Sequence, residues 1–347
     1  MRIRGKRLTT VWVLAVLAAS VGPSTAIAQN RYVATGVTGE ITQPVLTELW
    51  RQPENIRSED LFYGPGGQEH EPHGPFAFVK EDLDGTNPKY DVRDEDGVKW
   101  KIKLGAEARP ETVASRIVWA VGYHADEDYF LPEVRVTGMP AHVHRGQKLI
   151  GAGGVMHNVR LKRTEGEKKI GIWRWRDNPF VGTRELDGLR VMMAVLNNWD
   201  LKDENNAIRE EKRKDDVDTR VYEVSDLGAS FGTTGRLISH TKSKGNLRAY
   251  TRSKFIKTER PESVDFNVPS RPTLLIIFNA HEFFSRMGLR WIGRDIPRQN
   301  ARWIGDMLGQ LSKDQIRDAF RSAGYDDEEL AEFTSDFQRR IEELKNL

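Results

Sequence analysis

The chain contains the stretch NWDLKDENNAI, residues 198–208, in which acidic, basic and amide side chains lie between two apolar patterns. The preceding residues, 184–196, place leucine and methionine at helical spacing, and the stretch ends in a short apolar segment typical of a strand. Loops that join regular elements are the usual places for binding and catalytic side chains. Asp200, Lys202 and Asn205 are therefore the first candidates for a functional site.

A further acidic residue, Asp226, follows the predicted strand 221–224 directly, in the sequence Ser-Asp-Leu-Gly. This strand and the short apolar segment at 207–208 flank a strongly charged insert, residues 209–218. Because a hairpin tip tolerates extra length, we expect the two strands to form a hairpin with the insert at its tip.

An upstream segment, residues 98–104, alternates strictly between apolar residues and lysine, which predicts a strand with one buried face. An Asp-Gly turn joins it to the segment 90–93, a strong hairpin signal. Pro110 then opens a predicted helix that carries Glu111 in its first turn and has Gly122 as its C-cap. Lys103 and Glu111 are thereby candidates on consecutive elements.

Further strands are predicted at Glu133–Val136, Val155–Arg163 and Lys169–Arg176, and the last two are expected to pair as a hairpin. Near Asn178 the pattern changes, and beyond about residue 273 apolar residues have helical spacing.

In this order the motifs resemble the protein kinase-like superfamily, and most closely its divergent secreted, phosphoinositide and HipA-like branches. The stretch 198–208 resembles the catalytic loop H-R-D-L-K-P-E-N, and Asp-Leu-Gly at 226–228 resembles the D-F-G element. The resemblance covers about residues 76–290. It implies that Asp200 orients the acceptor hydroxyl and that Lys202 stabilises the transferred phosphoryl group. It also implies that Asn205 and Asp226 bind a metal ion.

The segment Trp-Lys-Ile-Lys at 100–103 resembles the V-A-I-K strand, which implies that Lys103 binds the nucleotide phosphates. Glu111 lies where this fold places the Glu that pairs with that Lys. Lys101 and Glu107 remain alternative partners. The cofactors that the resemblance implies are ATP with Mg²⁺ or Mn²⁺, since carboxylate and amide oxygens suit hard cations.

The resemblance implies an α+β, bilobal kinase-like fold, with an N-terminal antiparallel sheet and one main helix, followed by a mostly helical C-terminal lobe. We divide the chain accordingly into a signal peptide, a lead-in and loop segment, a β-rich N-lobe-like region, and a C-lobe-like region with a helical tail; these are residues 1–28, 29–75, 76–180 and 181–347.

Two departures from the kinase pattern separate the chain from ordinary Ser/Thr kinases. Asn198-Trp199 replaces His-Arg, so the Arg that binds a phosphorylated activation loop is missing. No G-x-G-x-x-G precedes the lysine strand, and the loop 84–88 is the candidate for its place.

The N-terminus has the pattern of a secretory signal peptide. Four basic residues lie within residues 2–7, residues 11–21 are apolar, and Ala26-Ile27-Ala28 provides the small residues of a cleavage site. Cleavage is predicted after Ala28, with the mature protein periplasmic or extracellular. The alternative is a retained N-terminal anchor, which the short apolar run disfavours.

Composition narrows the function classes. The chain has 347 residues, a formal net charge of +2 and no cysteine. Without cysteine there is no thiolate nucleophile, no cysteine zinc site and no lipoprotein anchor. The small net charge gives no general electrostatic case for nucleic acid, and no stretch after Ala28 is long and apolar enough for a stable membrane span.

The signal-peptide pattern predicts export, and the kinase-like resemblance implies a metal-dependent phosphotransferase that uses a nucleotide and a hydroxyl acceptor. One alternative is a catalytically inactive kinase-fold protein that binds or scaffolds partners in the cell envelope, for example through the charged C-terminal helices. Another is a periplasmic metal-binding protein. Its candidate ligands are the histidine pairs His70/His73 and His142/His144.

Overall fold

The computed structural model describes residues 32–33, 45–85, 87–164, 168–212, 218–234, 243–268 and 275–347. The predicted signal peptide and the tip of the charged insert lie outside these residues. The strands are β1 Tyr32–Val33, β2 Leu46–Glu48, β3 Phe76–Asp82, β4 Lys89–Arg93, β5 Lys99–Lys103, β6 Asp128–Thr137, β7 Val155–Arg163, β8 Lys168–Gly171, β9 Asn206–Lys212, β10 Asp218–Val224, β11 Ile256–Glu259, β12 Ser263–Phe266 and β13 Ile296–Pro297. The α-helices are α1 Ala108–Ala120, α2 Arg184–Val195, α3 Leu247–Thr251, α4 Leu275–Phe278, α5 Ala280–Gly288, α6 Arg298–Leu308, α7 Lys313–Arg321 and α8 Asp327–Lys345. The chain is thus α+β, with mixed sheets.

Five strands close into a barrel in the order β3-β4-β5-β7-β6. The pairs are antiparallel except β3 and β6, which run parallel. The predicted antiparallel sheet is therefore a closed barrel with one parallel pairing. Its interior holds a cluster of buried apolar residues: Phe76, Tyr90, Val92, Trp100, Ile102, Leu104, Tyr129, Val134, Val136, Met156, Val159 and Leu161.

The hairpin predicted around the Asp-Gly turn is confirmed, because β4 and β5 pair antiparallel from Lys89↔Lys103 to Arg93↔Lys99. Asp94 fixes the turn by accepting hydrogen bonds from the backbone of Val98 and from Trp100 Nε1. The alternation predicted for β5 is also confirmed, since its apolar residues fill the barrel while its lysines face outward.

The hairpin predicted between β7 and the following strand is wrong. Both edges of β7 are occupied inside the barrel, by β5 on one side and β6 on the other. The next strand, β8, instead pairs with β9. It extends a second sheet of order β1-β2-β10-β9-β8, in which β9 and β10 form the predicted hairpin.

Helix α1 begins at Ala108, not at the predicted Pro110, and it packs against β6 and β7 on the outside of the barrel. Its apolar residues belong to a second buried cluster, which also contains residues of α2, α6, α7 and α8. The apolar residues with helical spacing in the C-terminal tail are buried: Phe320, Leu330, Phe333, Phe337, Ile341 and Leu344.

No helix within the described residues is both long enough and apolar enough to cross a bilayer.

Candidate functional site

The side chain of Lys103, at the end of β5, lies among three carboxylates. Its Nζ is 2.8 Å from Glu111 Oε2, 3.1 Å from Glu107 Oε2 and 3.3 Å from Asp226 Oδ1. Glu111 belongs to α1, Glu107 immediately precedes α1, and Asp226 follows β10. An ammonium group has three donors, so three carboxylates, from the start of α1 and from the segment after β10, use the full hydrogen-bonding capacity of one lysine.

A second cation, Arg160 on β7, also contacts Glu111. Its Nη2 is 2.8 Å from Glu111 Oε1, and its Nε is 3.5 Å from Asp128 Oδ1. We call Lys103, Glu107, Glu111, Asp128 and Arg160 the buried ion cluster. All five side chains are less than a tenth exposed, because α1 covers the outer face of the barrel at this point.

The charges of the cluster hold one another in place. Burial by itself would lower the pKa of Lys103, but Glu111, Asp226 and Glu107 outweigh burial and raise it. The lysine is therefore firmly protonated. Burial raises the pKa of Glu111, against the opposing effect of Arg160 and Lys103.

Glu107 has two further partners outside the buried ion cluster. Besides Lys103 it accepts hydrogen bonds from Asn87 Nδ2, at 2.6 Å, and from Lys244 Nζ. Burial opposes its ionisation, but Lys103 and Lys244 lower the pKa of Glu107 to about 2. Glu107 also leaves no room for a side chain at position 228, since a Cβ on Gly228 would lie 2.7 Å from Glu107 Cβ. The glycine of the Asp-Leu-Gly motif therefore permits a close approach to the cluster.

The residues 198–205, which we call the polar loop, form the other side of the site. Asn205 Nδ2 donates to the backbone oxygen of Asp200 at 2.6 Å, and Lys202 Nζ is 3.8 Å from Asp200 Oδ1. The backbone nitrogen of Ser225 donates to Asn205 O at 2.9 Å, which ties the polar loop to the segment that carries Asp226.

Arg286 on α5 fixes Asp200 from a distant part of the chain. Its Nη1 is 3.0 Å from Asp200 Oδ1 and donates to Trp199 O at 3.1 Å, while the guanidinium lies over the Trp199 ring. Asn198 Oδ1 accepts from the backbone nitrogen of Asp200. An arginine remote in sequence thus contacts the loop in which Asn198-Trp199 stands in place of His-Arg. Sequence patterns gave no signal for Arg286 or Arg160, because neither is near the motifs along the chain.

Lys103, in the buried ion cluster, is less accessible to solvent than Asp226 and the polar loop. The Lys103 side chain is 5% exposed, whereas Asp226 is 41% exposed, Lys202 40% and Asp200 27%. A ligand would therefore reach the site from the side of Asp226 and the polar loop.

The structure separates the open alternatives for the lysine and its partner. Lys101 pairs with Asp82 and with Asp91, the latter at 2.9 Å, and not with the cluster. Glu107 and Glu111 both contact Lys103, so the two candidates act together. The sequence identified Glu107 only as an alternative.

The histidine pairs have separate carboxylate partners. His70 lies 3.0 Å from Glu127, His73 lies 3.6 Å from Asp96, and His144 lies 3.0 Å from Glu81. Among the residues that the structure describes, no group of three or more potential metal ligands contains a histidine.

Oxygen ligands do converge at Lys103. Carboxylate oxygens of Glu107, Glu111 and Asp226 all lie within 4.8 Å of one another. Asn205 uses its amide nitrogen for the bond to Asp200, so its remaining side-chain polar atom is an oxygen. Carboxylate and amide oxygens are the ligands that Mg²⁺ and Mn²⁺ prefer, so the oxygens of Asp226 and Asn205 have the chemistry that suits such an ion, while Lys103 Nζ already contacts all three carboxylates.

No protein-family model matches the chain, and no curated protein matches it. Among solved structures, the chain is similar to the Helicobacter pylori proinflammatory kinase CtkA, at 11% identity and a TM-score of 0.33, with 77% of this chain and 97% of that chain covered. It is also similar to the Rio2 kinase of Chaetomium thermophilum, solved as an ADP/Mg²⁺-phosphoaspartate complex, at 10% identity and a TM-score of 0.30. That alignment covers 76% of this chain and 70% of the other.

Proposed function

We propose that the chain is an exported, kinase-like phosphotransferase that moves a phosphoryl group from a nucleotide to a hydroxyl acceptor. One observation carries the proposal: Lys103 Nζ is held between Glu111 Oε2, at 2.8 Å, and Asp226 Oδ1, at 3.3 Å. These residues come from β5, α1 and the segment after β10, in the order in which the kinase-like motifs occur along the chain. Phosphoryl transfer needs positioned charge and little covalent chemistry from the protein.

Lys103 and Glu111 form the phosphate-binding part of this proposal. The raised pKa of Lys103 keeps the side chain charged, so it can neutralise phosphate oxygens of the nucleotide. Glu111 holds the lysine in place and is itself held by Arg160.

Asp226 and Asn205 would hold Mg²⁺ or Mn²⁺, which supplies charge neutralisation on the phosphates when bound. The exposure of Asp226 suits this role, since its carboxylate contacts Lys103 while 41% of the side chain is exposed to solvent.

The polar loop would serve the acceptor. Asp200, fixed by Arg286, accepts the proton of the acceptor hydroxyl as the hydroxyl oxygen forms a bond to the terminal phosphorus. The bond from that phosphorus to the bridging oxygen breaks, and the nucleoside diphosphate leaves with the electron pair. Lys202, next to Asp200, balances negative charge on the transferred group.

A second candidate function is a kinase-fold binding or scaffold protein without catalysis. The observation in its favour is Glu107, which takes one of the three donors of Lys103 and is locked by Asn87 and Lys244. A nucleotide phosphate would have to share Lys103 with this carboxylate.

Thermal-shift screening of the mature chain, residues 29–347, with nucleotides in the presence and absence of Mg²⁺ or Mn²⁺ tests the proposal. A metal-dependent shift that disappears in Asp226→Ala is expected. The matched control is Asp177→Ala, an exposed aspartate of a turn outside the site. The absence of a shift with every nucleotide and metal would favour the scaffold function, and a shift with Zn²⁺ alone that is lost in His142→Ala/His144→Ala would favour the metal-binding alternative.

The export proposal has its own test. N-terminal sequencing of the protein recovered from the periplasm or culture medium is expected to begin at Gln29. Recovery of the intact N-terminus in the membrane fraction would show a retained anchor instead.

A further inference from the structure

A cavity of about 330 Å³ lies within the C-terminal half of the chain, and Asn197, which precedes the polar loop, is part of its lining. It is bounded by the residue range 233–234 after β10, by the β11–β12 hairpin and by the segment that follows α5. Its polar and charged lining includes Asn197, Thr233, Lys257, Asn267, Arg290 and Arg294.

The charged side chains among the described residues of this lining are all positive. Lys257, Arg290 and Arg294 contribute three cations, and the described residues that line the cavity include no carboxylate. Burial lowers the pKa of Arg290, and repulsion from Arg294 lowers it further. Two guanidinium groups that repel each other beside a cavity are stabilised when an anion enters between them.

Asn197 contributes a hydrogen-bond acceptor to this lining, whereas the three cations contribute donors. It is 1% exposed and has a left-handed backbone, with φ of 52°. Its Nδ2 donates to Gly232 O, while its Oδ1 is buried and accepts no hydrogen bond from any residue that the structure describes. Since buried acceptors are normally paired, a ligand that donates a hydroxyl proton would satisfy this oxygen.

Two residues that line the cavity are close in sequence to Asp200 or to its partner Arg286. Asn197 precedes Asp200 by three residues in the turn that leads into the polar loop. Arg290 follows Arg286 by four residues in the helical segment that continues from α5, and Arg286 contacts the Asp200 carboxylate at 3.0 Å. A ligand in the cavity would therefore lie near the segments that hold Asp200.

We infer that this cavity binds the phosphate group of a small, hydroxyl-bearing molecule. Lys257, Arg290 and Arg294 receive the phosphate, and Asn197 accepts a hydrogen bond from a hydroxyl of the same molecule. That this molecule is the acceptor rests on the function proposed above for Asp200. The substrate class is then a phosphorylated polyol or sugar, and the transfer adds a second phosphate to it.

Isothermal titration of the mature chain with glycerol 3-phosphate, inorganic phosphate and glycerol, at constant ionic strength, tests the inference. Glycerol 3-phosphate is expected to bind at least about tenfold more tightly than glycerol, because charge-assisted hydrogen bonds to the phosphate dominate. Inorganic phosphate, which lacks the carbon-bound hydroxyls, is expected to bind more weakly than glycerol 3-phosphate.

Arg294→Gln and Lys257→Gln each remove one exposed cation of the lining, so the fold is expected to be unaffected. Each should weaken glycerol 3-phosphate binding roughly tenfold. The matched control is Arg302→Gln, an exposed arginine of α6 that does not line the cavity, and its affinity should equal that of the wild type. Equal affinities in all four proteins, or no binding of glycerol 3-phosphate by the wild type, would overturn the inference.

A parallel titration with ATP and Mg²⁺ separates this inference from the proposed function. Arg294→Gln should bind ATP as the wild type does, since Arg294 lies outside the Lys103 site. If the wild type binds glycerol 3-phosphate and not ATP, the cavity is a phosphate site and the kinase proposal fails. If it binds ATP and not glycerol 3-phosphate, the kinase proposal stands and the inference fails.

Discussion

The buried ion cluster and the polar loop are two halves of one candidate site, built in opposite ways. In the cluster, charges with little access to water neutralise one another within the fold, and Glu111 alone contacts both Lys103 and Arg160. In the polar loop, the side chains of Lys202 and Asp200 are 40% and 27% exposed. We therefore expect the buried ion cluster to stabilise the fold and the polar loop to be accessible to a ligand.

The sharpest test of this difference is Glu111→Ala. The change leaves two buried cations short of a partner, and removal of one member of a buried pair costs about 3–5 kcal/mol of unfolding free energy. Urea denaturation at pH 7 measures the loss. Glu133→Ala, which removes an exposed carboxylate near His157, should change the unfolding free energy by less than about 0.5 kcal/mol.

The acid stability of the cluster provides a second test. The pKa of Glu107 is lowered from 4.5 to about 2 in the folded chain, so the folded state prefers the ionised form more than the unfolded state does. This contribution, on the order of 3 kcal/mol, is present above pH 4.5 and is lost as the pH falls towards 2.

The stability difference between the wild type and Glu107→Gln should therefore be largest near pH 6 and should narrow steadily between pH 5 and pH 3. Denaturation curves at each pH measure it. A difference that stays constant over this range would show that Glu107 is not held as a carboxylate by Lys103 and Lys244.

Arg286 shares features of both halves, because its side chain is buried and yet contacts the polar loop. Arg286→Gln removes a buried charge from Trp199 O and from the partly exposed Asp200, with an expected loss of about 2 kcal/mol in unfolding free energy. The exposed Arg302→Gln is the control and should leave stability unchanged. If Arg286→Gln lost as much unfolding free energy as Glu111→Ala, Asp200 would behave as a buried group and not as part of the exposed half.

The smallest effect is expected at the solvent-facing carboxylate. Asp226→Asn leaves Lys103 with Glu107 and Glu111, so the unfolding free energy should change by less than about 1 kcal/mol. A loss of several kcal/mol in the same denaturation assay would contradict the division into two halves.

Local patterns predicted the parts of the site that depend on neighbours along the chain. The alternation in 98–104 placed Lys103 on the outer face of β5, and the helix signals placed Glu111 one turn into α1. The same kind of reasoning failed for β7 and β8, because adjacency favours a hairpin while barrel closure gives both edges of β7 to other strands.

Local sequence patterns could not predict contacts between residues that are far apart in the chain. A lysine on the outer face of a strand is ordinarily exposed, and only the packing of α1 against the barrel buries Lys103. Arg160 and Arg286 enter the site from β7 and α5, and neither has a sequence motif that marks it. The assignment of catalytic, nucleotide-binding and metal-binding roles to the six candidate residues stays a prediction.

Calorimetric titration of ATP into the mature wild-type chain, with and without Mg²⁺ or Mn²⁺, shows whether Lys103, Glu111 and Asp226 form a nucleotide site. Binding is expected to require the metal ion, to weaken at least about tenfold in Asp226→Asn and to be unchanged in the exposed control Asp177→Asn. Wild-type protein that binds no ATP with either metal, or Asp226→Asn protein that binds it as the wild type does, would contradict the claim that Lys103, Glu111 and Asp226 form a nucleotide site.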